Sequence, residues 1–326
     1  MKTHRFVLCL LGFVLVLAAC APTTAPTEAL TPITVQLKYL HQAQFAGFYA
    51  ADQNGYYAEE GLKVTFLEGE PALDLQKAVL EGTAQFGVAG PEKLIEMRST
   101  GHPLRAIAVI YRRNPLVFMS LAHWGITRPQ GIVGKTVQYN VTTRLMLDAM
   151  LANLGIAPNQ YQEVDVGPDL DQFFAGKVQV WNAFLINEVL TARAKGYDVN
   201  TIFPDDYGVH FYSDTLYTTD DLISTNPDLV LRFLRATLKG WTFAVENSNL
   251  VAALVANYNP NADLQHETDQ MVASLPLVNT GEDHIGWMKP TVWSGMEATL
   301  REQGVLTTPL DINQVYSMQF LEEIYK

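Results

Sequence analysis

The sequence predicts an α/β protein of two lobes with a ligand cleft between them. Three observations carry this. Strand and helix patterns alternate from Ile33 to about Ile110, and a second such series runs from Lys135 to Gly196. From Asn226 onward the chain turns helical.

The first strand is read from Ile33, Val35 and Leu37 alternating with Thr34 and Gln36, the period of a half-buried strand. Further strands are expected at 62–67, 85–89 and 104–111 beside the first at 33–38, with helices near 45–54, 72–82 and 91–100. Gly55 is a plausible stop for the first helix. This order implies a mostly parallel sheet. The stretch Pro115–Ser120 reads as a crossing strand. The second series has strands at 135–139, 161–166 and 178–186. Its helices lie at 143–154, 170–175 and 188–195, the first closed by Gly155 and the last ending at Gly196. Val209–Thr218 returns the chain to the first lobe. Asn226-Pro227 forms a good N-cap and N1 pair. Val230, Phe233, Leu234, Leu238, Trp241 and Val245 then make one apolar stripe. The expected lobes are 33–119 plus 218–326 and 120–217, hinged near Ser120 and Thr218.

Residues 1–19 read as an export signal. Lys2, His4 and Arg5 precede the apolar run Phe6–Leu17, which is too short to span a bilayer as a mature helix. Leu17-Ala18-Ala19-Cys20 sets small residues before a cysteine, as a bacterial lipobox does, so Cys20 is the expected lipidation site. An ordinary signal peptide with a chance cysteine is the alternative. Residues 20–32, rich in Ala, Pro and Thr, read as a flexible tether. The expected location is the cell membrane, lipid-anchored on its extracytoplasmic face. Cleavage removes Lys2 and Arg5, so 20 basic residues face 34 acidic ones and the mature chain carries a net −14. That charge argues against nucleic acid and anionic lipid surfaces as partners. Cys9 leaves with the signal and Cys20 is acylated, which leaves no thiol for a disulfide, a metal or a nucleophile. An exported chain without disulfides needs a large ordinary core, and 48% hydrophobic residues supply one. The seven histidines are scattered, with no HExxH, and GxGxxG, P-loop and GxSxG motifs are missing.

Chemistry gathers at four places. The turn Tyr39–Phe45 follows the first strand, at the end where parallel sheets bind ligands. Its Tyr39, Gln42 and Phe45 combine aromatic faces with an amide and suit a flat neutral heterocycle. Gly90-Pro91-Glu92 opens a helix with proline at N1, so Gly90 and Glu92 are candidate contacts, or a plain turn. Trp181, Asn182 and Phe184 flank a helix start at Asn187-Glu188. There a carboxylate can accept from ring N–H groups and an aromatic can stack, unless Glu188 merely caps its helix. Tyr139, Asn140 and Tyr207 complete the candidate set.

The segment Gly55–Val64, GYYAEEGLKV, resembles a signature of solute-binding proteins related to the thiamine-pyrimidine synthases of fungi. The resemblance continues at Phe86–Glu92, Asn187-Glu188, Asp206-Tyr207-Gly208 and Lys239-Gly240-Trp241, covering roughly Ile33 to Tyr258. It implies the periplasmic-binding-protein architecture of the second type, a vitamin-type ligand, and an ABC permease with its ATPase as partners. It further implies a monomer with no cofactor and no catalysis. Formylaminopyrimidine-binding relatives carry Tyr-x-x-Asn-Glu, whose Glu pairs with the pyrimidine's amino edge. Here Phe184 stands for that Tyr, while Asn187 and Glu188 match. Their first turn reads Trp-Phe-Pro-Asn-x-x-His, against Tyr39, Leu40, His41, Gln42 and Phe45 here. Phe45 for His is a departure, and Gln42–Gly47 looks more like riboflavin-binding members. Riboflavin is therefore the expected ligand, with a formylaminopyrimidine thiamine precursor as the alternative. A pyrimidine-synthase-like enzyme would use a Cys-rich iron motif and a reactive His that this chain lacks. A sensory binding protein docking on a receptor is the remaining reading.

Overall fold

The computed structural model describes residues 29–70, 74–138 and 140–326. The expected signal, Cys20, most of the tether and Tyr139 lie outside the described residues. Among the described residues ten strands follow in chain order. They are β1 Thr31–Gln36, β2 Leu62–Leu67, β3 Phe86–Ala89, β4 Leu104–Val109 and β5 Leu116–Leu121. Then come β6 Thr136–Gln138, β7 Gln162–Val164, β8 Trp181–Phe184, β9 Val199–Ile202 and β10 Thr215–Thr219.

The first sheet has the order β2-β1-β3-β10-β4. β1 runs parallel to β2 and β3, and β10 lies antiparallel between β3 and β4. The chain thus returns to this sheet between β3 and β4, and it does so early: Thr215–Tyr217, expected in the second lobe, already pair here. The second lobe contains β8-β5-β9, all antiparallel, and the parallel pair β6-β7. A bridge from Val137 to Val180 ties the two pieces together.

The other boundary needs correction too. Leu116–Met119, expected to end the first lobe, form most of β5, which pairs with β8 and β9 of the second. Every residue of β5 is buried. A strand apolar on both faces shows no alternation, so its sequence does not say which sheet takes it.

Two helices fix the entrance to the first lobe. Ala46–Gln53 follows the turn after β1, and Gly55 closes that stretch in the left-handed region at φ 76°. Pro227–Glu246 starts as expected, with the Asn226 side chain accepting from Leu229 N at 3.2 Å. Its Phe233, Leu234, Leu238 and Trp241 are buried. The two helices meet at glycines. A Cβ on Gly240 would stand 2.1 Å from the Gly47 carbonyl oxygen, and one on Gly47 would stand 2.1 Å from the Trp241 ring. Gly240→Ala is therefore expected to destabilise by about 1–3 kcal/mol, the range for overpacking. A melting temperature equal to wild type would contradict this close crossing.

Candidate functional site

The turn after β1 is held from a distance. The short helix Ala43–Phe45 has no side-chain cap of its own. Its first two N–H groups are met by the helix Leu264–Val278: Ala43 N donates to Glu267 Oε2 at 2.6 Å, and Gln44 N to Gln270 Oε1 at 3.0 Å. Both side chains are buried. This fixes the turn against the first lobe.

Side chains then form a continuous polar chain. Lys38 Nζ donates to Asp214 Oδ1 at 2.5 Å, and Gln44 Nε2 donates to Asp214 Oδ2 at 2.7 Å. Gln42 Nε2 donates to Gln44 Oε1 at 2.6 Å. Gln270 Nε2 donates to Gln42 Oε1 at 3.2 Å and to the Ile186 carbonyl at 3.0 Å. The chain runs from the end of β1 to the loop after β8, from one lobe to the other. His266 Nε2 and Asn187 Oδ1, 3.3 Å apart, make a second crossing. Lys38 Nζ, 5.8 Å from the centre of the Phe184 ring, makes a third.

The expected site residues divide. Gln42, Phe184 and Asn187 lie on these crossings. Tyr39 is exposed at the rim. Asn182 is buried and donates to Gln138 Oε1 at 2.7 Å. Asn140 precedes the helix Val141–Ala152, and its Oδ1 accepts from Thr143 N at 3.3 Å. Two expected stacking faces are corrected. Phe45 is fully buried in the first core, and Trp181 is buried in the second, edge-on to Phe173. Neither ring offers a face to a ligand. Tyr207 sits in the turn Pro204–Tyr207, apart from the polar chain, where its carbonyl accepts from Asn153 Nδ2.

The carboxylates are sharply different in their duties. Glu188 Oε2 accepts from Phe184 N at 2.7 Å, so this acid closes its own loop. Burial pushes its carboxyl up, against the pull of the Phe184 and Glu188 N–H groups. Glu267 is likewise pushed up by burial. Glu92 folds back over Gly90, where a Cβ would collide with its carboxylate. Burial raises the Glu92 carboxyl above the usual range, with Lys38 pulling it down and Asp214 pushing it up. The native state therefore binds this proton more tightly than the unfolded chain does. Its contribution to stability is complete below the unfolded value and is lost as pH rises through the folded one. Glu92→Gln should melt above wild type at about pH 8, with the gap closing toward about pH 4, near the unfolded carboxylate value. A gap that stays constant with pH would contradict a partly desolvated, protonatable Glu92.

Lys38, Gln44, Asp214, His266, Glu267 and Gln270 are the residues that motif reasoning passed over. One signal was present: Glu267, Gln270 and Ser274 put polar groups at i, i+3 and i+7, the spacing of a buried helix face. A separate surface cavity of about 460 Å³ is lined by Arg112, Arg113, Asp205 and Lys289 among others. Its charges are already matched, Arg112 by Asp283, Arg113 by Asp205 and Lys289 by Glu282. Among the described residues no cluster could hold a metal ion, and no helix is long and apolar enough to cross a membrane.

Residues 42–249 match the NMT1/THI5-like family. The chain belongs to that family. It is 26% identical over 320 residues to the riboflavin-binding protein RibY of Chloroflexus aurantiacus, covering 93% of this chain and 91% of that one. It is 27% identical over 309 residues to the formylaminopyrimidine-binding protein of Halalkalibacterium halodurans, covering 90% and 93%. Its fold is that of the periplasmic binding proteins. The aliphatic sulphonate binding protein SsuA from Escherichia coli superposes with a TM-score of 0.71 at 14% identity, over 87% of this chain and 96% of its own.

Proposed function

We propose that this member of the NMT1/THI5-like family is the solute-binding lipoprotein of an ABC importer and that it captures riboflavin. It stands on the extracytoplasmic face of the membrane, anchored through acylated Cys20, and hands its ligand to the permease and ATPase as a monomer. Near full-length similarity to a riboflavin-binding relative supports the ligand. The observation that carries the choice is Glu188. An aminopyrimidine needs a carboxylate for its amino edge, and this one has already given Oε2 to the Phe184 N–H at 2.7 Å, which leaves Oε1 alone for that role. The wall between the lobes is instead rich in amides, the partly exposed Gln42 backed by the buried Gln44 and Gln270, near the ring of Phe184. Amides donate and accept, as the alternating carbonyl and N–H groups of a flavin's dione edge require.

A formylaminopyrimidine ligand remains the second reading. The matching Asn187-Glu188 pair and the relative that binds such a compound favour it. The protein purified without added ligand decides between them. A flavin would give it visible absorption that unfolding releases into solution, whereas a colourless protein carrying a pyrimidine by mass spectrometry would replace riboflavin.

A further inference from the structure

We propose that Lys38 is the anchoring donor of the cleft: it gives a hydrogen bond to a carbonyl oxygen on the dione edge of the bound flavin, and Asp214 is the positioning residue that aims it. This deepens the riboflavin reading and rests on it.

An ammonium has three N–H donors. Lys38 gives two of them within the first lobe, to Asp214 Oδ1 at 2.5 Å and to Ser213 Oγ at 3.3 Å. Among the described residues no acceptor takes the third. The side chain keeps 19% of its area exposed, while Asp214 keeps 1%. The lysine therefore emerges from a buried acidic seat into the cleft and ends 5.8 Å from the Phe184 ring of the other lobe. A flat ring entering beside Phe184 has an edge within reach of Nζ.

The seat is built for orientation. Asp214 is gripped on both oxygens, by Lys38 and Ser213 on Oδ1 and by Gln44 on Oδ2. Glu92 faces the same ammonium from the helix Pro91–Ser99. Lys38 and the Gln44 amide thus both spend donors on Asp214, and what is left for the cleft is the third N–H of Lys38. A dione edge presents two acceptors around one N–H donor, and the outer acceptor nearest Lys38 is where the ammonium's free N–H is needed. A partly desolvated ammonium strengthens such a bond. An aminopyrimidine edge leads with an amino donor, which an ammonium repels. Lys38 is on these grounds a specificity determinant for ring carbonyls.

The test compares wild type with Lys38→Met and Lys38→Arg, titrating each with riboflavin and recording infrared difference spectra of the bound flavin. Lys38→Met should weaken binding roughly 10- to 100-fold, the range for a hydrogen bond to a charged group. It should also move a flavin carbonyl stretch to higher frequency, because that oxygen loses its donor. Lys38→Arg should keep the band near its wild-type position. Because Lys38→Met strands Asp214, the double variant Lys38→Met with Asp214→Asn, which buries no charge, should show the same band shift. Binding by wild type with unchanged affinity in Lys38→Met, or weaker binding with an unmoved band, overturns the role of Lys38 and leaves riboflavin as ligand. Failure of wild type itself to bind riboflavin overturns the ligand reading and this inference with it.

Discussion

Asp214→Ala is expected to lower the unfolding free energy by about 3–5 kcal/mol, the cost of breaking a buried ion pair from one side. Asp214 is 1% exposed and receives Lys38, Gln44 and Ser213. Its removal takes from the ammonium its ion-paired acid, leaving Glu92 to face it unpaired by any hydrogen bond, and leaves the Gln44 amide without its acceptor. The residual exposure of Lys38 lets water reach part of that charge, which places the expected loss at the lower end of the range. Removing both charges in Lys38→Met with Asp214→Asn should recover most of it, since a neutral pair carries no desolvation penalty. Urea unfolding of the three variants measures this. A loss below about 1 kcal/mol for Asp214→Ala would mean the pair behaves as a surface salt bridge.

Trp181→Ala should cost about 3–5 kcal/mol, as buried Trp truncations do. The ring is buried among Val117, Met119, Phe173 and Val178 in the second core. At a temperature where the variant stays folded, its riboflavin affinity should remain within roughly threefold of wild type, a difference under about 1 kcal/mol. A large loss of affinity with little loss of stability would return Trp181 to the cleft.

Trp181 also shows where sequence reading stops. β8 is Trp181-Asn182-Ala183-Phe184, and alternate residues face opposite sides. Trp181 and Ala183 join the second core, while Asn182 meets Gln138 and Phe184 meets Lys38. Each face carries one aromatic residue, so composition could not say which face was wet. Phe45 posed the same difficulty in one residue: a turn aromatic can stack on a ligand or anchor the turn, and here it anchors. The elements with strong local chemistry were legible. Asn226-Pro227 caps as its residues dictate, and the β1 turn lies where a parallel strand places it. Asp214 and Gln270 carry no motif, and each reaches Gln44 across 170 and 226 residues. Only the fold brings such partners together.

The most direct measurement is a titration of ligand-free protein with riboflavin, followed by flavin fluorescence. The account predicts a saturable rise in flavin fluorescence anisotropy, as a ring held beside Phe184 with its edge at Lys38 comes to tumble with the protein, with Kd below about 1 µM, a binding free energy of about −8 kcal/mol or better. Anisotropy that stays at the free-flavin value through tens of micromolar riboflavin, while calorimetry detects a formylaminopyrimidine, would contradict it.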